Sequence, residues 1–485
     1  MKTETQQPSS SEILAAFAAK LRYEDIPPEV VAKVKTHILD AIGVGMAGST
    51  MDWCRQSCRV FERAGAPTEA TVLGQSHKLA APDAALANGV ALGCMDYDDT
   101  DYTGGGHHMS RHIIAAALAA GELAHSSGKD LITAVTIGYE VASRVGSSLL
   151  LDRYGPRGAN SSWTEEDFAK HHKLQKQGGS LVRGNIPGLF ACTTLASRLL
   201  GLSAAQISSA QGLVGGFGLF LCQSHSEGAD ATMLFSGWSA HAGVLSALWA
   251  REGLRGPRHI YEGKRGLLEV IGGDLQDATQ LTDRLGTQWN SMNNLLKFYP
   301  GGHGMHHFIE SLHALMNEGL GAQDIEQIEC HAPSQRIEFH FEPKEDKLHP
   351  TPYSARFSLP YVLARLAIDR ALGPLSYAAD KVTDPVVIEL ASRITYVADE
   401  TVWIGDKRGL VIVKLRDGRV LKRSSPELRG FPNRPFTRDD IVGKFKENAN
   451  LIKTSPRRID SLVQSLEALE NVKDIGDVMR FTTPA

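Results

Sequence analysis

Residues 95–112 hold a high density of side chains that can carry charge or move protons. The stretch reads MDYDDTDYTGGGHHMSRH and contains four aspartates, three histidines, an arginine and three consecutive glycines. Residues of these types build metal centres, phosphate-binding loops, acid–base centres and polar surface loops. The spacing of the residues distinguishes metal centres and phosphate-binding loops from acid–base centres and surface loops.

Spacing argues against a metal site and a phosphate site. Asp96, Asp98 and Thr100 resemble the start of a calcium-binding loop, but no glycine follows at position six and no glutamate at position twelve. The histidines do not form the H-E-x-x-H motif of zinc sites. The glycines lack both a G-K-[ST] ending and a preceding strand, which a phosphate loop needs. We therefore expect no metal here.

An acid–base centre fits this stretch better. It lies between two predicted helices rich in small apolar residues, and a polar loop between helix ends of a bundle often lines a pocket. Asp96 is expected at the end of the first helix, and Thr100 shares its face if the helix continues that far. The glycines permit a sharp turn that returns His108 toward both. A capped loop without chemistry is the alternative.

A second dense stretch, LLKFYPGGHGMHHFIESL, covers residues 295–312. Lys297 can bind a carboxylate, and His303, His306 and His307 enter a predicted helix, where a histidine can bind an anion or transfer protons. A solvated lysine before a Pro-Gly turn is the alternative. Because two Gly/His-rich segments each precede a helix, we expect them to converge in a cleft between domains.

Composition restricts the class of protein. A chain of 485 residues predicts two domains, and 42% hydrophobic residues suffice for a large core. The net charge of −4 lacks the basic excess of a nucleic-acid-binding protein. Six scattered cysteines suit a reducing compartment, and neither an apolar signal core nor a stretch of roughly 20 apolar residues is present. We expect a cytoplasmic protein with no nucleic-acid or membrane partner.

Helical periodicity runs through the chain up to about residue 290. SSSEILAAFAAKL begins with a serine cap, and PPEVVAKVKTHILDAIGVGMAG has proline at its entrance. Small residues recur within these helices and favour a tightly packed bundle. Residues 152–185 are polar and aperiodic, which predicts a long loop.

The pattern changes after about residue 290. IEQIECHAP alternates as a strand does, GLVIVKLRDGRVLKRSS predicts a hairpin that turns at Asp-Gly, and SARFSLPYVLARLAIDRAL predicts a helix entered near Pro360. The pattern is helical again from about residue 435. We predict a mainly α protein, with a large all-helical domain over 1–290 and 435–485 and a smaller α+β lid domain over 291–434.

These motifs resemble the MmgE/PrpD family, whose members include 2-methylcitrate dehydratase, cis-aconitate decarboxylase and iminodisuccinate epimerase. ALANGVALGCMDYDDT is similar to the family's best-known stretch, and ILDAIGVGMAG, RLLGLS, LKFYPGGHGMHH, SARFSLPYVLA and VKLRDGRV recur in order over nearly the whole chain. The resemblance implies a homodimer, a helical domain with an α+β lid, and small di- or tricarboxylic acids as substrates. It implies neither a metal nor an organic cofactor.

The resemblance also implies which residues act. Carried over position by position, the family's pattern gives catalytic roles to Asp96, Thr100, His108 and Lys297, with His107 as the alternative to His108. We assign substrate binding to the residues that can hold a carboxylate beside them: Arg111, Arg183, Tyr299, His303 and His107.

Two positions of the decarboxylase-like pattern do not carry over. A histidine of the helical domain falls near Val182-Arg183, and a lysine falls near Thr232. Arg183 is a candidate for the lost cation, and His171 or His172 for the lost histidine. These departures bear on the reaction and leave the predicted fold unchanged.

The chemistry common to such a site is proton movement at a carbon next to a carboxylate. Removal of the proton builds an aci-carboxylate, whose charge cations must stabilise where it develops. His108 is the expected acid–base group, because the ordinary pKa of histidine lies near neutrality. Asp96 orients His108 or contacts substrate.

We expect a cofactor-independent lyase, either a dehydratase or a decarboxylase, acting on an acid of the citrate, 2-methylcitrate or cis-aconitate type. An epimerase or isomerase of a dicarboxylate or imino acid is the first alternative. A carboxylate-binding relative without catalysis is the second, because loss of the histidine and the lysine is what such a protein would show.

Overall fold

The computed structural model describes most of the chain. At residues 179–184 it describes the backbone alone. The described residues are 7–62, 65, 67–101, 108–149, 179–218, 220–221, 223, 229–272, 276–332, 337, 340–399, 409–425, 428–431 and 433–484. Helices dominate, and the sheets are small. The predicted fold class, mainly α with a smaller α+β part, is confirmed.

The first part of the chain is a bundle of helices. Its longer helices are α1 (Ser10–Lys20), α2 (Pro28–Gly48), α3 (Asp52–Glu62), α4 (Ala81–Gly93), α5 (Ser110–Leu123), α6 (Gly128–Ser148), α7 (Gly179–Leu199), α8 (Ala204–Val214) and α9 (Leu234–Arg251). Ser9 caps α1 in a capping box with Glu12, and Pro28 opens α2, as the sequence predicts. The strands β1 (Ala70–Thr71) and β2 (Lys78–Leu79) form a small antiparallel pair beside the bundle.

Small residues bring the helices into close contact. A Cβ placed on Gly89 of α4 would lie 2.6 Å from the Cα of Gly237 in α9, so larger side chains would force these helices apart. The same two helices join one buried apolar cluster with α2, α5, α6 and α7. This packing fixes the carboxyl end of α4, from which the first polar stretch leaves.

The prediction of a loop over residues 152–185 is wrong at its end. Residues 150–178 lie outside the described residues, but α7 already begins at Gly179. Ile186, Leu189 and Phe190 of α7 are buried in the core. Burial of this apolar face against α6 and α9 stabilises helix across the glycine-rich start, where the sequence pattern is weak.

The second part is a four-stranded sheet covered by helices. The strands are β5 (Ile325–Ala332), β6 (Ile394–Ala398), β7 (Gly409–Leu415) and β8 (Val420–Ser425), in the order β6-β5-β7-β8. Only the β5–β6 pair is parallel among these strands. The predicted hairpin is confirmed, and Gly418 turns it with a φ of +86°.

Helices cover one face of this sheet. They are α10 (His306–Asn317), α11 (Leu359–Asp369) and α12 (Pro385–Ser392), with short helices at Lys344–Leu348 and Ala379–Val382. Alternate residues of β7 are buried against them, and the sheet and its helices share a second apolar core. The predicted helix is confirmed, with Pro360 in its first turn.

The chain then returns to the helical bundle. The helices α13 (Arg438–Asn450) and α14 (Pro456–Glu467) pack against α2, followed by a short helix at Gly476–Met479. Phe445 and Leu462 belong to the same buried cluster as α2. Among the helices of the described residues, none combines the length and apolar character that a bilayer crossing requires.

Candidate active site

The two polar stretches lie side by side. Strand β3 (Thr100–Asp101) pairs antiparallel with β4 (Asn294–Leu295), so that Thr100 lies opposite Leu295. Farther along, the amide of Gly301 donates to the carbonyl oxygen of Asp96 over 3.0 Å. The convergence expected from the sequence is confirmed, and backbone hydrogen bonds hold it.

A tight turn, not a helix, brings Asp96 and Thr100 together. Helix α4 ends at Gly93, so the two residues do not share a helix face. Asp96 adopts a left-handed conformation with a φ of 49°, which aspartate tolerates better than most residues. The turn aims both the carboxylate and the backbone carbonyl of Asp96 at the 294–301 segment.

Two cationic side chains contact the carboxylate of Asp96. The ammonium of Lys297 lies 3.0 Å from Oδ1 of Asp96 and also donates to its backbone carbonyl over 2.8 Å. An Nη atom of Arg111, at the start of α5, lies 2.8 Å from the same carboxylate oxygen. The side chain of Lys297 is fully buried, so its charge is neutralised by protein atoms and not by water.

Electrostatics keep Asp96 and Arg111 ionised. Burial acts to raise the pKa of Asp96, but Lys297, His108 and Arg111 outweigh it and hold that pKa well below the ordinary value. Burial likewise acts to lower the pKa of Arg111, and Asp98 and Asp96 outweigh it, so that the net shift is upward. Asp96 is therefore a carboxylate at any pH at which the protein works.

Asp96→Asn is expected to lower the thermal unfolding midpoint by several degrees near pH 7, because it leaves Lys297 buried without its anion. The folded pKa of Asp96 lies below its unfolded value of about 3.9. The stabilisation is therefore complete above that value and is lost as pH falls through the folded pKa. The gap between wild type and variant should be constant from pH 7 to about pH 5 and shrink below about pH 4.

The exposed Asp439 offers a matched control, because its carboxylate is 94% exposed. Asp439→Asn should leave the midpoint near that of wild type at every pH. A gap for Asp96→Asn that persists unchanged into strong acid would contradict the depressed pKa.

His108 is oriented by the loop that carries it. Its Nδ1 lies 2.7 Å from the carbonyl oxygen of Asp99. A carbonyl can only accept, so Nδ1 carries a proton, and a neutral ring then has its lone pair on Nε2. Nε2 lies 3.8 Å from Oδ1 of Asp96, on the side of the ion cluster. His108 is thus set to take up a proton beside a carboxylate.

Thr100 links two histidines from the two stretches. Its hydroxyl lies 3.3 Å from Nδ1 of His108 and 3.1 Å from Nδ1 of His303. His303 opens the turn before α10, where its ring lies 4.6 Å from that of His306. The hydroxyl can therefore pass a change in protonation from one histidine to the other.

Asp98 and Asp99 hold the loop in place. Asp98 accepts from Nε of Arg111 over 2.6 Å. Asp99 accepts from the amide of Ser110, the first residue of α5, over 2.9 Å, and from the hydroxyl of Tyr139 over 2.7 Å. Both aspartates are fully buried, so their role is to hold the loop and not to meet solvent.

A set of possible metal ligands exists here. One atom each of Asp96, Asp98 and His108 lies within 4.8 Å of the others. The two carboxylates already accept from Arg111 and Lys297, so a divalent ion would have to compete with two fixed cations. This donor set does not favour a metal, in agreement with the spacing of the sequence motif.

The other predicted binding residues have different surroundings. Tyr299 is buried with its ring against Phe298 and His306, and its phenol interacts with Arg429. Its described contacts therefore do not include the ion cluster. His107 and the side chain of Arg183 lie outside the described residues, and so do His171 and His172.

Sequence reasoning missed two buried cations beside the cluster. Lys444 of α13 donates to the carbonyl oxygen of Lys297 over 2.8 Å and pairs with Asp40 over 2.7 Å. The signal for it was a lysine within the apolar face of a helix, next to Phe445. Lys444 positions the backbone that carries Lys297.

Arg356 is the second missed cation. Its carbonyl accepts from the amide of Gly302 over 3.0 Å, and its side chain is 2% exposed. Gly301 has a φ of +107°, and a Cβ there would lie 2.8 Å from the same carbonyl oxygen. Only glycine permits this approach, which brings Arg356 beside the Asp96 turn.

These features define a class of protein with two structural parts. One part is a helical bundle, and the other is a sheet with helices on one face. An ionised cluster lies where polar segments of the two parts pair. Within this class, the chain belongs to the MmgE/PrpD family. Residues 12–280 match the MmgE/PrpD N-terminal domain, and residues 299–468 match the MmgE/PrpD C-terminal domain.

Several characterised proteins are similar over nearly their whole length. A cis-aconitate decarboxylase-like protein of Aspergillus oryzae is 24% identical over 95% of this chain and 95% of its own. Cis-aconitate decarboxylase of Aspergillus terreus is 24% identical over 96% and 94%, and that of Mus musculus is 23% identical over 98% and 93%.

One departure from the decarboxylase pattern can be located in the fold. Thr232, where the resemblance implies a lysine, lies in the turn Asp230–Met233 and hydrogen-bonds with Tyr353. This position therefore lacks the cation that the resemblance implies.

Proposed function

We propose that this protein is a lyase that acts on a small di- or tricarboxylic acid by transferring a proton at a carbon next to a carboxylate. The reaction is dehydration or decarboxylation, on an acid of the citrate, 2-methylcitrate or cis-aconitate type. The observation that carries the proposal is the buried Asp96–Lys297 pair with His108 beside it, because the cluster joins a base to fixed positive charge.

His108 is the acid–base group. Its Nδ1 proton is donated to the carbonyl of Asp99, which leaves Nε2 to handle the transferred proton. In a dehydration, Nε2 takes the proton from carbon and gives it to the departing hydroxyl, which leaves as water. In a decarboxylation, the protonated ring gives its proton to the carbon from which carbon dioxide has left. The imidazolium formed in this way lies 3.8 Å from the Asp96 carboxylate, which stabilises it. Thr100 and His303 keep the ring in this orientation.

Lys297 supplies the positive charge that the reaction needs. Proton removal turns one substrate carboxylate into an aci-carboxylate with about two negative charges. Of the three donors of the Lys297 ammonium, two are directed to Asp96. The third can bind the developing charge, and burial strengthens that interaction because no water screens it.

An isomerase of a dicarboxylate or imino acid is the second candidate. The threonine at position 232 favours it, because a proton that returns to the other face of the same carbon requires no stabilised leaving group. The homodimer stays a prediction from the family resemblance, and the cytoplasmic location stays a prediction from the composition of the chain.

The purified protein should be incubated in D₂O with citrate, 2-methylcitrate, cis-aconitate and aspartate-derived acids, and each mixture followed by NMR. We expect one acid to lose water or carbon dioxide. Deuterium uptake without net loss would identify the isomerase instead. No change in any acid would refute both candidates and favour a binding protein. EDTA should leave the rate unchanged, since no metal takes part in the proposed steps.

A further inference from the structure

We propose that Arg356 binds a second carboxylate of the substrate, so that the acids taken by this site carry at least two carboxylate groups. The inference rests on the proposed function for the identity of the first carboxylate, the one beside the reacting carbon. The assignment of a carboxylate to Arg356 rests on the structure alone.

Arg356 lies next to the ion cluster. Its carbonyl accepts from Gly302, while the amide of the preceding Gly301 donates to Asp96, so one Gly-Gly turn contacts both residues. Tyr377, whose ring faces the guanidinium, donates to the carbonyl of Pro300 in the same turn over 2.7 Å. The charge of Asp96 also acts on the guanidinium, which places the two within electrostatic reach.

The guanidinium is buried, and no acceptor for it lies among the described residues. Its Nε and one Nη have no hydrogen-bond partner, and no carboxylate of the described residues forms an ion pair with Arg356. An arginine side chain remains protonated in proteins, and a buried charge without a counter-ion is strongly unfavourable. An anionic ligand would supply both the acceptor and the counter-charge.

Other arginines buried in the described part of the chain are compensated. Arg365, nine residues along, pairs with Asp384 over 2.8 Å, and Arg144 donates to the carbonyl of Asp283 over 2.7 Å. Arg356 differs from them in having aromatic neighbours in place of acceptors. Arg365 and Arg144 also keep N–H groups without a hydrogen-bond partner, but each has a carboxylate counter-ion, whereas Arg356 has none among the described residues.

The ion pairs of the neighbouring cluster do not include Arg356. Asp96 and Asp98 are matched by Lys297 and Arg111. The lysine behind them, Lys444, is matched by Asp40. None of these carboxylates forms an ion pair with Arg356, and the proposal assigns a carboxylate of the ligand to it.

Aromatic rings hold the guanidinium in a fixed orientation. The centroids of the rings of Trp53, Tyr353 and Tyr377 lie 5.1, 6.0 and 5.8 Å from its central carbon. Such rings stabilise the positive charge by contacting the planar faces of the guanidinium, but they accept no hydrogen bonds from its N–H groups. The edge of the guanidinium keeps its paired N–H donors, whose geometry matches the two oxygens of a carboxylate.

Binding of unreactive acids tests this assignment independently of catalysis. Glutarate and butyrate have chains of similar length and differ by one carboxylate, and calorimetry with the full chain gives the affinity for each. Wild type should bind glutarate more tightly than butyrate. Arg356→Gln should weaken glutarate binding on the order of 10- to 100-fold and leave butyrate binding unchanged.

Two further variants separate binding from folding. Arg356→Lys keeps the charge but loses the paired donors, so it should weaken glutarate binding to an intermediate extent, and it carries the test if Arg356→Gln does not fold. Arg365→Gln removes a buried arginine that already has a partner, so it should lower stability while glutarate stays preferred over butyrate.

Three results would overturn the assignment. They are glutarate binding that survives Arg356→Gln, equal loss of glutarate and butyrate binding, and inorganic phosphate binding to wild type as tightly as glutarate. The proposed function is judged separately, because loss of proton transfer with intact selectivity for glutarate would refute that function and leave this assignment standing.

Discussion

His108→Ala is expected to lower kcat by roughly 10²- to 10⁴-fold, the usual contribution of a positioned acid–base group. The Nε2 atom of the His108 ring faces the ion cluster, and the carbonyl of Asp99 fixes the tautomer of that ring. Because Asp96 and Lys297 remain paired, KM should change little. Steady-state rates with the acid that turns over in the D₂O experiment measure the effect.

Added imidazole should restore part of the activity of His108→Ala, since it can occupy the space left by the ring. His349→Ala is a suitable control, because that histidine is 55% exposed and pairs with Glu345 on the surface. Its rate should equal that of wild type. Unchanged turnover in His108→Ala would refute the role of this residue and point to the neighbouring His107.

Lys297→Met is expected to reduce kcat/KM by about 10³-fold or more and to lower the thermal unfolding midpoint. The loss of one preorganised donor to a developing oxyanion typically costs about 10²- to 10³-fold. The variant also leaves the buried Asp96 carboxylate with Arg111 as the one remaining cation among its described lysine and arginine partners, which destabilises the fold. Rates and melting curves on the same preparation measure both effects.

A double variant separates the two consequences. Asp96→Asn combined with Lys297→Met removes both charges, so stability should recover relative to Lys297→Met alone, while activity should not. Lys414→Met is the control, because Lys414 is half exposed on β7 and pairs with Glu326. Activity close to wild type in Lys297→Met would remove the source of positive charge that the proposed reaction requires.

Local signals in the sequence predicted much of the fold. Capping at Ser9, proline at the start of α2 and alternation in β5, β7 and β8 are decided by neighbours a few residues apart. The start of α7 was missed because its stability comes from burial of a face against α6 and α9. Sequence patterns carry no information on such distant packing.

The site was predictable where the residues cluster in sequence. Asp96, Thr100 and His108 fall within one stretch, and Lys297 and His303 within another, so composition alone indicated both. Arg356 and Lys444 stand singly among apolar residues, and only the tertiary pairing of segments shows that they reach the cluster. The left-handed turn at Asp96 was equally hidden, because helix propensity there gave no reason to expect it.

Exchange of carbon-bound hydrogen with D₂O tests the central claim most directly, that the Asp96–Lys297–His108 cluster transfers a proton next to a carboxylate. Mass spectrometry and NMR should find one deuterium on that carbon, placed there by protonation after loss of carbon dioxide or, for a dehydratase, by the reverse addition of D₂O to the unsaturated acid. His108→Ala should still bind the acid but exchange its hydrogen at least 10²-fold more slowly. Exchange at the wild-type rate in His108→Ala, or none by wild type in any acid of the panel, would contradict the account.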